Sequence, residues 1–191
     1  MTDFLSPSAK NDLRALLRAR RNSFVASLSP QERLDAEQRV AQRLQTLRPQ
    51  GQWASYVPMG SEFDPHLLVP QDGTAIAYPW FADRAAPMRF RLACGPLLPG
   101  PFRIRQPEDH CPEVEPDTIL TPMMGFDAAG NRIGQGAGHY DRALEAMRAR
   151  RNICVIGIAW DVQQLPALPA DPWDQPLDAI ITPDQLIRPL R

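Results

Sequence analysis

Two short runs near the C-terminus, Cys154-Val-Ile-Gly-Ile-Ala159 and Ala179-Ile-Ile-Thr182, are apolar at nearly every position. A strand wetted on one face alternates apolar and polar residues, so unbroken apolar runs predict strands buried on both faces. Such strands need cover above and below, and the common solution is a mostly parallel sheet between helical layers. Other strand candidates are Trp53–Val57, Thr74–Tyr78, Met88–Leu92 and Thr118–Thr121. A helix from about Ser8 to Phe24 follows from Leu13, Leu16 and Leu17 at helical spacing. Ser29-Pro-Gln-Glu32 is a capping box with proline at the first helical position; it opens a second helix reaching about Leu47, which Pro49-Gln-Gly51 ends. Helical stretches near Asp64–Leu68 and Tyr140–Arg150 interleave with the strands. The order predicts one three-layer α/β domain over residues 1–191, its mostly parallel, mixed sheet edged by antiparallel strands. No repeat or linker divides it.

Bulk properties narrow the partners. A net charge of -1 gives no global attraction to nucleic acid or to an anionic membrane surface. No apolar run approaches the length of a membrane span, and Met1-Thr-Asp-Phe-Leu-Ser6 lacks the basic-then-apolar pattern of a secretory signal. Cys94, Cys111 and Cys154 are three, an odd number at irregular spacing, which reads economically as reduced thiols in a cytoplasmic protein, with Cys154 in the core. His110-Cys111 has no second Cys/His pair at zinc spacing, which argues against a structural zinc. The 21 prolines among 191 residues sit mostly between elements and predict pinned connections. Arg14, Arg18, Arg20 and Arg21 crowd the first helix, where a solvated face is the plain expectation.

The chemistry concentrates in Gly125-Phe-Asp-Ala-Ala-Gly-Asn-Arg-Ile-Gly-Gln-Gly-Ala-Gly-His-Tyr-Asp-Arg142. Gly134, Gly136 and Gly138 alternate just before a helix that opens near His139. Glycines reach backbone angles closed to other residues, and such loops can turn several N–H groups toward one anion. The helix start adds donors and the positive end of its dipole. Arg132 offers a planar fork for phosphate oxygens, and Asp127 and Asp141 bracket the loop with carboxylates suited to a hard divalent cation. A plain strand-to-helix turn is the alternative, since this is neither a Walker loop nor a Rossmann fingerprint. The flanking arginine and acids favour a nucleotide-phosphate site with magnesium. Ligands in such sheets bind beyond the carboxyl ends of strands, where this loop, Val57–Glu62 and Gln163 all fall.

The same residues carry a resemblance. Phe126-Asp-x-x-Gly-x-Arg-Ile-Gly-x-Gly-x-Gly-x-Tyr-Asp141 resembles the signature of the 5-formyltetrahydrofolate cyclo-ligase (5,10-methenyltetrahydrofolate synthetase) family. Lys10-x-x-Leu-Arg14 with Arg20 and Arg21 is similar to the family's opening helix, and Tyr56-Val-Pro-Met-Gly-Ser-Glu62 to its substrate-contacting segment. Ile156-Gly-Ile-Ala, Gln163, Leu165-Pro, Asp174 and Leu177-Asp-Ala-Ile-Ile-Thr182 are similar to its closing strands. The blocks stand in family order along nearly the whole chain.

The resemblance implies ATP- and Mg-dependent closure of 5-formyltetrahydrofolate to 5,10-methenyltetrahydrofolate, with ADP and phosphate released. It implies that Lys10, Arg14 and the loop Arg132, Ile133, Gly134, Gln135, Gly136, Ala137, Gly138, His139 and Tyr140 contact ATP. Gln135 to His139, Val57 and Glu62 would also face the folate, Arg132 and Tyr140 would be catalytic, and Asp141 and Asp174 would hold magnesium. A monomeric, cytoplasmic enzyme is the corresponding expectation. The chain departs from the family pattern at Gln135, Ala137, His139 (in place of the first of two tyrosines) and Gln106-Pro107 (in place of Glu-Pro). These departures bear on affinity more than on reaction class. The competing readings are another ATP-dependent enzyme on this scaffold and a catalytically weak relative that binds folate or nucleotide.

Overall fold

The computed structural model describes residues 7–190; Met1–Ser6, where the absence of a signal pattern was noted, lie outside the described residues. Helix α1 (Pro7–Ser27) and helix α2 (Pro30–Leu47) lead the chain. Strands β1 (Trp53–Ala54), β2 (Ala77–Trp80) and β3 (Arg89–Leu92) follow, then a small hairpin of β4 (Leu98–Pro99) and β5 (Arg105–Gln106). After β6 (Thr118–Pro122) comes a second hairpin, β7 (Gly125–Phe126) with β8 (Arg132–Ile133), and helix α3 (His139–Arg148). The chain closes with β9 (Cys154–Ile158), β10 (Ala179–Ile181) and β11 (Leu186–Ile187).

Seven strands form one sheet in the order β11-β10-β9-β6-β1-β2-β3. The five central strands run parallel and the edges β3 and β11 antiparallel, the expected mixed α/β arrangement. Successive residues of the apolar strands feed opposite layers, as the two-residue strand period requires. Leu120, Ile156, Ile158 and Ile181 pack with Val40 and Leu44 of α2; Ile119, Val155 and Ile180 pack with Leu144 and Met147 of α3. Continuous hydrophobicity in β9 and β10 therefore has its physical cause: both faces are covered.

The capping box at α2 is present, with Ser29 Oγ accepting from Glu32 N–H at 3.2 Å and Glu32 Oε2 accepting from Ser29 N–H at 2.8 Å. The stretch near Asp64–Leu68 is a single 3-10 turn, His66–Leu68. In α1 the buried stripe is Leu17, Arg21 and Val25, while Leu16 is exposed. Two readings need correction. The α1 arginines are not all a solvated face, because Arg21 is buried against residues 61–62 and 123 and half-buried Arg14 bonds to Gly134, while Arg18, which reaches Gln135, and Arg20 stay exposed. The cysteines are not all reduced thiols: Cys94 and Cys111, with Cα atoms 5.7 Å apart, are joined as a disulfide. Seventeen residues of separation hid their proximity, which the chain's return beside β3 creates. Among the described residues no helix is long and apolar enough to cross a membrane.

Candidate active site

From β1 the chain proceeds outward to β2 and β3, then returns to place β6 on the other side of β1. The segments leaving β1 and β6 consequently diverge, and a crevice opens at their carboxyl ends. A cavity of about 700 Å³ occupies that position. It is lined from β1's exit by Val57 and Glu62, from β6's exit by Pro122, Met123 and Met124, and by the whole loop from Arg132 to Asp141. Lys10 and Arg14 reach it from α1, and Asp174 from the loop before β10. The residues expected at the site thus line one cavity across chain positions 10 to 174, with the exceptions of Asp127 and Gln163.

The glycine loop earns its composition at two places. Gly136 (φ 105°) and Gly138 (φ 63°) adopt left-handed angles, and Gly138 is also the residue from which α3 starts. Gly134 needs no such angle; a side chain there would project into open space. Its carbonyl instead accepts from Arg14 Nε at 3.0 Å, and the Arg14 guanidinium passes beneath Gly136. Among the described residues, the N–H groups of Gly134 to Ala137 have no protein acceptor. Four donors beside a helix start form the kind of concavity that suits an anion. Gln135 links two neighbours: Arg18 donates to its oxygen at 2.8 Å and its amide donates to Glu62 Oε1 at 3.2 Å.

At the charged end, Arg132 donates to Asp141 Oδ1 at 2.6 Å and to the Gln175 carbonyl. Lys10 is ion-paired with Asp171, an acid the sequence reading passed over, and Asp174 accepts from the Asp171 N–H at 2.8 Å. Burial, then the negative charge of Asp141 and of Asp171, pushes the Asp174 carboxyl above its ordinary range. Crowded carboxylates of this kind are relieved by a hard cation that takes oxygen ligands, so Asp141 and Asp174 fit magnesium. Asp127 does not. Its buried carboxylate accepts from Ala129, Asn131 and Leu168 N–H groups and from the Asn131 amide, and so builds the β7–β8 turn. Gln163 likewise is no ligand group, since its buried amide clamps Met123, Met124 and Trp160 backbone.

Deeper in, Glu62 is buried, accepts from Met59 N–H at 2.9 Å and stands 3.9 Å from Arg21. Burial outweighs the ion pair for both: Glu62 is raised and Arg21 lowered. Burial also pushes the Tyr140 phenol well up, with the Glu62 charge adding to it. Among the described residues His139 Nε2 is a buried atom without a hydrogen-bond partner, which is costly unless a ligand satisfies it, while the Tyr140 hydroxyl is also buried but interacts with the Thr121 side chain. His139 Nδ1 lies 3.2 Å from Arg142, which can only donate, so the proton of a neutral imidazole sits on Nε2. Burial and then Arg142 hold the ring below its ordinary value, hence neutral.

The residues of the opposite wall, His139 apart, were not foreseen. His139 meets Phe81 at 4.8 Å and Phe102 at 4.7 Å between ring centres, and Met88 and Ile104 continue the surface. Gln106 secures this wall by accepting from Phe81 N–H at 3.1 Å and donating to the Phe81 carbonyl at 3.0 Å. A glutamate there, ionised, could not make the second bond.

Fold and site together define an α/β protein with a glycine-rich loop of open N–H groups, an acidic pair and an aromatic wall around one crevice. The chain belongs to the 5-formyltetrahydrofolate cyclo-ligase family, whose model matches residues 6–183. It is 30% identical to the 5-formyltetrahydrofolate cyclo-ligase of Mycolicibacterium smegmatis, over 98% of this chain and 100% of that protein. It is 28% identical to the Escherichia coli K12 protein of the same name, over 90% and 98% respectively. Among solved structures, the Aquifex aeolicus 5,10-methenyltetrahydrofolate synthetase superposes with a TM-score of 0.73 at 27% identity, covering 92% of each chain. The Mycoplasma pneumoniae 5,10-methenyltetrahydrofolate synthetase gives 0.62 at 25% identity, covering 91% of this chain and 98% of that one.

Proposed function

We propose that this protein is a working cyclo-ligase, converting 5-formyltetrahydrofolate to 5,10-methenyltetrahydrofolate at the expense of ATP, with magnesium. The observation that carries the reading is the convergence on one crevice of the open loop N–H groups, the Asp141–Asp174 pair and the aromatic wall. The formyl oxygen is a poor leaving group. Phosphoryl transfer to it, giving an imidate phosphate, lets N10 attack the formyl carbon and phosphate depart. The protein's task is then to orient the partners and to match the charge of the transferring group.

In this reading the loop from Ile133 to Gly138 receives the polyphosphate, with Lys10 and Arg14 beside it. Arg132 holds Asp141 in position and adds positive charge. Asp141 and Asp174 hold magnesium, which supplies charge neutralisation on the phosphates. Glu62, Val57 and the buried Tyr140 hydroxyl face the folate, with His139 forming part of the aromatic wall. The protein acts as a monomer with no nucleic-acid or membrane partner. A cytoplasmic setting completes the reading.

Mixing the protein with 5-formyltetrahydrofolate and Mg-ATP tests it directly. Methenyl absorbance should appear with one ADP per product. Ligand binding without turnover would instead identify a weak, non-catalytic relative, and ATP turnover without methenyl product a different ATP-dependent enzyme.

A further inference from the structure

We propose that Cys94 and Cys111 form a thiol-exchange site whose redox state sets the order of the aromatic wall and, through it, the affinity for the folate. The disulfide lies outside the crevice but closes the base of the excursion that carries Phe102 and Ile104 into it. The effect on ligand affinity rests on the crevice being the folate site; the effect on the wall does not.

Three observations support a labile, consequential cross-link. First, Cys94 is exposed while Cys111 is buried, so an external thiol has one sulfur to attack. His110 Nε2 lies 3.5 Å from Cys94 Sγ, within reach to exchange a proton with a Cys94 thiol. Secondly, the excursion needs outside support. Phe102 (φ 59°) and Arg103 (φ 61°) are consecutive non-glycine residues in the left-handed region. That conformation persists only where surrounding structure holds it. Thirdly, the disulfide is a covalent tie across its base, beside the packing of Phe102 and Ile104 and the bonds that Arg105 donates to the Leu97 carbonyl. The hairpin pairs through only Leu98–Gln106 and Pro99–Arg105, and Leu98 and Pro99 are exposed. Gln106 and the Arg91 bonds to the Asp109 and Cys111 carbonyls anchor the returning side, and Ala93 N–H donates to the Ile76 carbonyl just before Cys94. The disulfide ties the other side, where the chain leaves β3.

The exchange balances with a small dithiol as reductant. A thiolate of the reductant attacks Cys94 Sγ, the Cys94–Cys111 bond breaks, and Cys111 leaves as a thiolate and takes a proton. The reductant's second thiolate then attacks its own sulfur in the mixed disulfide, closing a cyclic disulfide and releasing Cys94. The protein gains two electrons and two protons, and the dithiol loses them.

The test compares the oxidised protein with protein treated with dithiothreitol. Alkylation read by mass spectrometry should label Cys94 and Cys111 only after reduction. Hydrogen exchange over residues 95–105 should accelerate on reduction while β6 and β9 stay protected. The apparent KM for 5-formyltetrahydrofolate should rise about three- to ten-fold, the scale expected when one anchoring side chain must be ordered by the ligand. The kcat should stay near the parent value. Cys94→Ser should show the reduced behaviour without reductant and should not respond to it. Equal exchange in both forms, with labelling proving reduction, would overturn the proposal, as would thiols that label fully without reductant. If the protein made no methenyl product, the exchange comparison would still decide the matter, and only the functional reading would fall.

Discussion

At one end of the crevice Lys10 pairs with Asp171 and Arg132 with Asp141, around an upward-shifted Asp174; at the other, Phe81, Phe102 and His139 meet ring to ring. The two ends are held by different physics. Opposite charges at the first end already satisfy one another, so a charged ligand must exchange into a pre-set pattern, and small displacements there matter greatly. Apolar contact holds the second end; it is non-directional and tolerates exchange of one ring for another. The charged end should therefore govern the rate and the metal requirement, and the aromatic end the affinity for the second substrate.

The largest effect is expected where the loop backbone itself is displaced. Gly136 sits at φ 105°, and a Cβ there would come within 3.2 Å of the Arg14 guanidinium. Gly136→Val should lower kcat/KM by about 100-fold or more, the cost of misplacing reacting groups by roughly an ångström. Because the loop is exposed, Tm should fall by only a few degrees. Near-parental turnover in this variant would remove the loop from the phosphate site.

Next come the carboxylates. Asp141→Asn and Asp174→Asn keep shape but surrender the charge that attracts a hard cation. Each should raise the Mg²⁺ concentration for half-maximal rate by at least the roughly ten-fold that even outer-shell changes cost. Asp141→Asn also frees Arg132 from its partner, so it should lower kcat more than Asp174→Asn does. Unchanged Mg²⁺ titrations in both would break the comparison at its charged end.

How far the sequence foretold this arrangement divides along the same line. At the charged end the local part was legible, since Arg132, the glycines and Asp141 lie within one short segment, whereas Lys10, Arg14 and Asp174 followed only from the family resemblance. Gly134 differs from its two neighbours in the loop, since it needs neither an unusual angle nor space; its carbonyl accepts from Arg14. Asp127 misled because a carboxylate beside a turn looks the same in sequence whether it binds a metal or caps backbone. The central parallel strands were legible from their doubly buried runs, with ends shifted by a few residues, but β4, β5, β7, β8 and β11 are two-residue strands too short to leave a period. The aromatic wall was illegible for a related reason. Phe102 stands in Pro99-Gly-Pro-Phe-Arg103, which reads as loop, and only the chain's return past β3 brings it against Phe81 and His139. The disulfide depends on that same return.

A smaller effect should follow at the wall. Phe102→Ala removes the ring facing both Phe81 and His139. The KM for 5-formyltetrahydrofolate should rise about ten-fold, consistent with loss of one aromatic contact and its buried area, while the KM for ATP and the Mg²⁺ titration stay at parental values. An ATP KM that rose in step would show that the two ends are not separable.

The smallest effect, and the finest test of the comparison, concerns His139, which belongs to both ends: its ring packs in the wall while its backbone opens α3 beside the anion loop. Its neutral ring suits the wall, and a larger ring should suit it as well, so His139→Tyr should hold or improve kcat/KM. His139→Asp places a carboxylate against two phenyl rings and near the polyphosphate, and should impair both substrates. The pH dependence separates packing from catalysis. Burial, with Arg142 second, holds the folded imidazole below its ordinary value of 6.5. An unfolded chain therefore takes up this proton first as pH falls, so the histidine's contribution to stability is fully present above 6.5 and is lost as pH drops from there toward the folded value. The difference in Tm between parent and His139→Tyr should be flat above neutrality, and the parent should lose ground only on the acid side. A difference that stayed constant across that acid window would show the imidazole to be unburied in solution and would detach His139 from the wall.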